Sequence, residues 1–177
     1  PPPGPVHLNL PFREPLVGTP GPLPPTRDGG AWARRPARAA TRGVEVPPAA
    51  ERVLVVAGAV PDLDGELVHA AAAARGWPVV AEPRSTAWLP ADTAVMHLDA
   101  ILRSPRAAEA LRPDLVVRLG APGSSRVVNE WLAASGAAEI VLGAPGWSDP
   151  AGTAALMSED DPTAFLGATA ALFTELF

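Results

Sequence analysis

From Glu51 onward one pattern recurs, and it restricts the fold more than any other feature of the chain. A short run rich in β-branched residues, closed by Gly or Pro, is followed by a stretch with apolar residues at helical spacing. The runs are ERVLVVAGAV (51–60), WPVVAEP (77–83), PDLVVRLGAP (113–122) and AEIVLGAPG (138–146), with TAALMSEDDP (153–162) a weaker fifth. Near-continuous apolar runs of this kind belong to strands buried on both faces, and two-residue hairpin signals are missing between them. The intervening segments carry helix signals in the correct order. PDLDGELVHAAAAARG (61–76) begins with Pro and acids and stops at Arg75-Gly76, the asymmetry expected of helix ends. TAVMHLDAILRS (93–104) puts Val95, Leu98 and Leu102 on one helical face, and PRAAEALRP (105–113) is a short helix between prolines. SSRVVNEWLAASG (124–136) is a helix capped by Ser124 or Ser125, and DPTAFLGATAALFTELF (161–177) closes the chain as an amphipathic helix. Alternation of this kind predicts an α/β fold: an open parallel sheet of five or six strands, Rossmann-like, with helices on both faces.

Before Glu51 the pattern is different. Thirteen of the 23 prolines lie there, and proline disrupts both helix interiors and central strands. VHLNLPF (6–12) alternates like a strand but stands alone, and residues 17–50 read as an extended Pro/Arg-rich linker leading to an α/β domain over 51–177. Six Arg face Glu14, Asp28 and Glu45 up to Ala50, whereas the rest carries eight Arg and 16 acids. An acidic domain with a mildly basic arm is poor material for nucleic-acid binding, which needs a concentrated basic face. ARRPARAATR (33–42) is accordingly read as a solvated connector and not as a phosphate-binding arm.

Absences narrow the chemistry further. The chain has no Cys and all 14 basic residues are Arg, which excludes thiolate nucleophiles, Cys-ligated metals, Schiff-base lysines and the lysine of a phosphate loop. No apolar run is long enough to span a membrane, and the cysteine-free composition suits a cytoplasmic protein.

In an open parallel sheet, ligands sit beyond the carboxyl ends of the strands, so three loops are candidates. VAGAVPDLDGEL (56–67) has the position of a dinucleotide fingerprint but not its glycine spacing after Gly58, which argues against NAD or FAD there. LGAPGSSRVVNEW (119–131) is richer: Gly120 and Gly123 permit a tight turn, Ser124 and Ser125 open a helix, and Arg126 falls in its first turn. Helix-start N–H groups with an adjacent guanidinium suit a carboxylate or phosphate. The alternative is an exposed Arg126 paired with Glu130 at i,i+4 spacing. LGAPGWSDPAG (142–152) reads as a rigid turn with Trp147 packed over the sheet edge. His7, His69 and His97 share no loop, and His69 and His97 are expected as partly exposed helix residues. SEDDP (158–162) is read as a helix N-cap and not as a metal site, so no catalytic residue is assigned.

The residues also carry a resemblance. GPVHLNLPFREPL, WPVVAEPRS, HLDAILRSP, DLVVRLGAPGSSRVVNEWL and GWSDP occur in order over nearly the whole chain. In this the chain resembles the thiamine-diphosphate-dependent synthases of menaquinone biosynthesis, the SEPHCHC synthase family, which join 2-oxoglutarate to isochorismate. The resemblance implies a three-domain enzyme in which residues 1–16 are the last strand of a pyrimidine-binding domain, 17–50 the linker and 51–177 the central domain. Thiamine diphosphate and Mg²⁺ (or Mn²⁺) would be held by the pyrimidine- and diphosphate-binding domains. This stretch would then bind neither and would be inactive alone. The same resemblance places Arg126, six residues after Gly120 and five before Trp131, as the group that reaches a substrate carboxylate; a neighbouring basic residue of some members is Val127 here. It implies a homodimer or homotetramer acting on isochorismate and 2-oxoglutarate. The competing readings are a stand-alone nucleotide- or anion-binding Rossmann-like protein and a purely structural assembly module.

Overall fold

A computed structural model describes residues 7–19, 21–22, 50–144, 148–159, 161–162 and 165–166. The chain divides into two compact units, Pro1–Ala37 and Arg38–Phe177. In the first, the described residues form neither helix nor strand, and Leu8, Leu10, Phe12, Leu16 and Val17 are exposed. The alternation of VHLNLPF therefore yields no strand over His7–Phe12. A lone extended segment has no ladder partner and no second apolar face to bury against.

The second unit follows the strand–helix alternation closely. Its elements are β1 (Val53–Ala57), α1 (Gly65–Ala73), β2 (Val79–Ala81), α2 (Leu98–Leu102), α3 (Pro105–Ala110), β3 (Leu115–Leu119), α4 (Arg126–Ser135), β4 (Ala138–Leu142) and β5 (Ala154–Ser158). The strands form one parallel sheet in the order β2-β1-β3-β4-β5. Local chemistry explains the helix ends. Asp64 accepts hydrogen bonds from the N–H groups of Glu66 and Leu67 at 3.0 and 3.1 Å, starting α1. Ser104 caps α3, with Pro105 at its first position, and Ser125 caps α4 by accepting from the Val128 N–H at 3.2 Å. Of the two serines open as caps for α4, Ser125 takes the role.

Helices cover both sheet faces, as the alternation predicts. Val53, Val55 and Ala57 of β1, Leu115, Val117 and Leu119 of β3, and Ile140 and Leu142 of β4 face one side. There they pack with Val68, Ala71 and Ala72 of α1 and with Phe165 and Leu166. Leu54, Val56 and Val116 face the other side, against Trp131 and Leu132 of α4, and Leu98 and Leu102 of α2 pack on Val128 beside them. The remainder of the predicted closing helix, and Trp147, lie outside the described residues.

Two expectations are corrected. The helix predicted from Thr93 begins only at Leu98. Thr93–Val95 instead runs along β2, with Val79 donating to Thr93 O and accepting from the Val95 N–H, both at 2.8 Å. The β-branched Thr93 and Val95 satisfy the otherwise open edge of β2, and Val95 still joins the cluster of Leu98 and Leu102. His69, expected to be partly exposed, is buried. Its Nε2–H donates to Ala87 O at 2.9 Å, and the Thr93 hydroxyl donates to Nδ1 at 2.7 Å. A polar ring at a helical core position is tolerated because both nitrogens have partners.

Candidate functional site

The connection from β1 leads to β2 on one side, and that from β3 leads to β4 on the other. The crossing point between β1 and β3 is therefore where the carboxyl ends of an open sheet part to leave a crevice. Two glycines shape it. Gly58 donates its N–H to Leu119 O at 2.7 Å, and a Cβ there would meet Ala121 O at 2.2 Å. Gly120 has φ +79°, and a Cβ on it would meet Ala59 O at 2.7 Å. The loop after β1 thus closes on the chain's own backbone, where a dinucleotide fold would approach a pyrophosphate.

Beyond Gly120 the chain turns into α4. The Ser124 hydroxyl donates to Glu82 at 2.7 Å, and the Ser125 hydroxyl donates to Asp99 at 2.6 Å. The Asn129 amide donates to Gly123 O at 2.7 Å, holding the turn. Two carboxylates therefore stand at the positive end of α4, the sign that its dipole favours. The Ser125 bond, and then the bond and charge of Arg103, hold the Asp99 carboxyl below the ordinary carboxylate range. Glu82, Trp88, Met96, Asp99, Ser124 and Ser125 line a cleft of about 190 Å³. A larger cavity of about 300 Å³, between Trp77, Leu111 and Trp131, opens at the amino ends of the strands, away from this loop.

Arg126 is the first residue of α4, with its side chain 87% exposed. Its Nε–H donates to Glu130 at 2.7 Å, and Glu130 raises its pKa further above the ordinary guanidinium value. The i,i+4 pairing open from the spacing is therefore present. The pair is exposed on both sides, with the Glu130 side chain 63% exposed. Along this stretch Gly120 makes the turn, Gly123 O accepts from Asn129, Ser124 and Ser125 donate to carboxylates, and Arg126 opens α4.

One cluster was not anticipated from the sequence. Arg118, on β3, is 4% exposed at its side chain, and its Nε–H donates to Glu139 of β4 at 2.5 Å. Its Nη1–H donates to Gly120 O at 3.2 Å and its Nη2–H to Ser148 O at 2.7 Å. Glu139 accepts a second bond, from the Thr153 hydroxyl at 2.6 Å. Asp149 accepts from the N–H groups of Thr153 and Ala154 at 3.1 and 3.0 Å. The Ala154 bond foremost, those of Thr153 and Gly152, and the charge of Arg118 hold its carboxyl below the ordinary range. The signal was a charge inside each of two neighbouring apolar runs, DLVVRLG and AEIVLG, on strands predicted to be buried. Among the described residues, no group of three or more His, Asp or Glu side chains is placed to hold a metal ion, and no helix is long and apolar enough to cross a membrane.

Comparison with known proteins bears on this arrangement. A family model described as "Middle domain of thiamine pyrophosphate" matches residues 48–158. The chain is 37% identical, over 97% of its length, to a 2-succinyl-5-enolpyruvyl-6-hydroxy-3-cyclohexene-1-carboxylate synthase of Halobacterium salinarum, of which it covers 34%. It is 38% identical over 83% of its length to the enzyme of the same name from Geobacillus kaustophilus, covering 28% of that protein. For the Sorangium cellulosum synthase the identity is 33%, over 97% of this chain and 32% of the relative. The chain spans about a third of the length of these curated relatives.

Proposed function

The chain belongs to the middle-domain family of thiamine pyrophosphate enzymes, and from that premise we propose that it is the central domain of a SEPHCHC synthase. The whole enzyme, on this reading, uses thiamine diphosphate with Mg²⁺ or Mn²⁺ to decarboxylate 2-oxoglutarate and add the resulting four-carbon unit to isochorismate. What supports leaving the cofactor to the other domains is the loop after β1, where the backbone of Ala121 lies close against Gly58 in the place that a nucleotide diphosphate takes in an open α/β sheet. Thiamine diphosphate and the metal are assigned to the pyrimidine- and diphosphate-binding domains, and this chain supplies no catalytic group. The working form is a homodimer or homotetramer in the cytoplasm.

The contribution of this domain is substrate binding by Arg126. The observation that carries it is the placement of an 87%-exposed guanidinium at the carboxyl edge of the sheet, held among the described residues by a neighbour one helical turn away. Exposed i,i+4 pairs are weak, so a substrate carboxylate can displace Glu130 at little cost. The planar guanidinium then offers two parallel N–H donors to the carboxylate. Isochorismate and 2-oxoglutarate are both dicarboxylates, which suits that geometry. The serine hydroxyls already donate to Glu82 and Asp99, so this reading gives the anion to the side chain of Arg126 and leaves the serines to fix its helix.

The test is Arg126→Ala in the full-length enzyme. Loss of a charge-assisted hydrogen bond of about 1.5–3 kcal/mol should reduce kcat/KM for one substrate roughly ten- to a hundredfold, mainly through KM. Unchanged constants for both substrates would reduce the domain to a scaffold.

A further inference from the structure

We propose that Arg118 is a positioning residue: its guanidinium holds the turn into α4 and the segment Ser148–Thr153 as one unit, and so sets where α4 and Arg126 begin. Its three bonds reach three places. Nε–H goes to Glu139 on the neighbouring strand, Nη1–H to the carbonyl of Gly120 at the turn, and Nη2–H to the carbonyl of Ser148. Glu139 extends the link to the Thr153 hydroxyl, and Asp149 closes the segment on its own backbone through Thr153 and Ala154. The chain of bonds runs from the carboxyl end of β3, at Arg118 and Gly120, back to Glu139 near the start of β4 and to Thr153 just ahead of β5.

An ion pair is a poor choice if stability alone is needed here. A buried pair is commonly replaceable by apolar side chains of similar volume with no loss of stability. Apolar side chains cannot aim at two carbonyls, however, and directional bonds to both loops are what an adjustable loop pair lacks. Gly120 is where the chain leaves β3 in a left-handed conformation, and the bond from Arg118 fixes the carbonyl at that residue. From there the chain runs only six residues to Arg126, so an error in the turn is carried into α4. The part of this inference that concerns Arg126 rests on the substrate-binding reading above; the coupling of the two loops does not.

The experiment compares Arg118→Lys with the unaltered full-length enzyme by peptide-resolved amide hydrogen exchange and by steady-state kinetics. Lysine keeps the charge beside Glu139 but cannot reach all three acceptors. The expected result is at least about tenfold faster exchange in residues 120–125 and 148–153 together, with α1 and β1 unchanged. Thr153→Val, which leaves the Arg118–Glu139 pair intact, should give a smaller rise in the same two segments and serves if Arg118→Lys does not fold. The KM that Arg126→Ala raises should rise in Arg118→Lys too, and the double variant should be no worse than Arg126→Ala alone. Unchanged exchange in the two segments, or a uniform rise across the domain, would overturn the proposal, as would multiplying effects in the double variant. Should Arg126→Ala leave the kinetics unaltered while the two segments loosen together, the substrate-binding reading fails and the coupling stands.

Discussion

The two faces of the sheet are built from the same strands but on different principles. On the α1 face the positions of β1, β3 and β4 are apolar, and Val55, Val117, Leu119 and Leu142 form one continuous core with Val68 of α1. On the α4 face the apolar contacts divide into small clusters around Trp131 and Leu132, and Arg118 and Glu139 occupy core positions beside them. The first face can absorb small changes because dispersion and burial are not directional. The second depends on a few bonds with fixed geometry among buried charged and carbonyl groups, where removing a partner is costly. Stability is concentrated on one side of the sheet and positional control on the other, where the loop that carries Arg126 emerges.

The contrast can be broken most directly with Arg118→Met, which strands Glu139 in the interior. Unfolding in urea should show a loss of about 3–5 kcal/mol. Adding Glu139→Leu to Arg118→Met should recover part of it, because the uncompensated charge is then gone. If the single and double variants are equally unstable, the α4 face depends on the ion pair for its fold and not only for its geometry.

A smaller effect is expected on the apolar face. Ile140→Val removes one methylene beside a continuous core and should cost about 0.5–1.5 kcal/mol in the same measurement. A loss as large as that of Arg118→Met would show that the two faces do not differ in tolerance.

Acid gives the gentlest probe. The carboxyls of Asp149 and Asp99 are held below their ordinary range in the folded chain. A depressed folded pKa contributes stability that is complete above the unfolded value and is lost as pH falls through the lowered folded value. The urea midpoint should therefore decline below about pH 4, and Asp149→Asn should flatten that decline. An equal acid slope in the variant would remove Asp149 from the pH response.

Much of this was legible in the residues, and the parts that were not have identifiable causes. The β-branched runs with interleaved helical spacing determined a parallel α/β sheet covered on both faces, because burial on both sides demands uninterrupted apolar strands. Helix starts were legible in part, from Pro61 with the acids after it, from Pro105 and from the Ser124–Ser125 pair, while the caps themselves, Asp64, Ser104 and Ser125, are read from the structure. The loop Gly120–Arg126 could be picked out for the same reason: its signals are local. Strand order, the pairing of Arg118 with Glu139 across 21 residues, and the burial of His69 on Ala87 and Thr93 were decided by tertiary structure alone. So was the conversion of Thr93–Val95 from a predicted helix to an extended segment beside β2. Each depends on which distant backbone or side chain arrives alongside, and no local spacing records that.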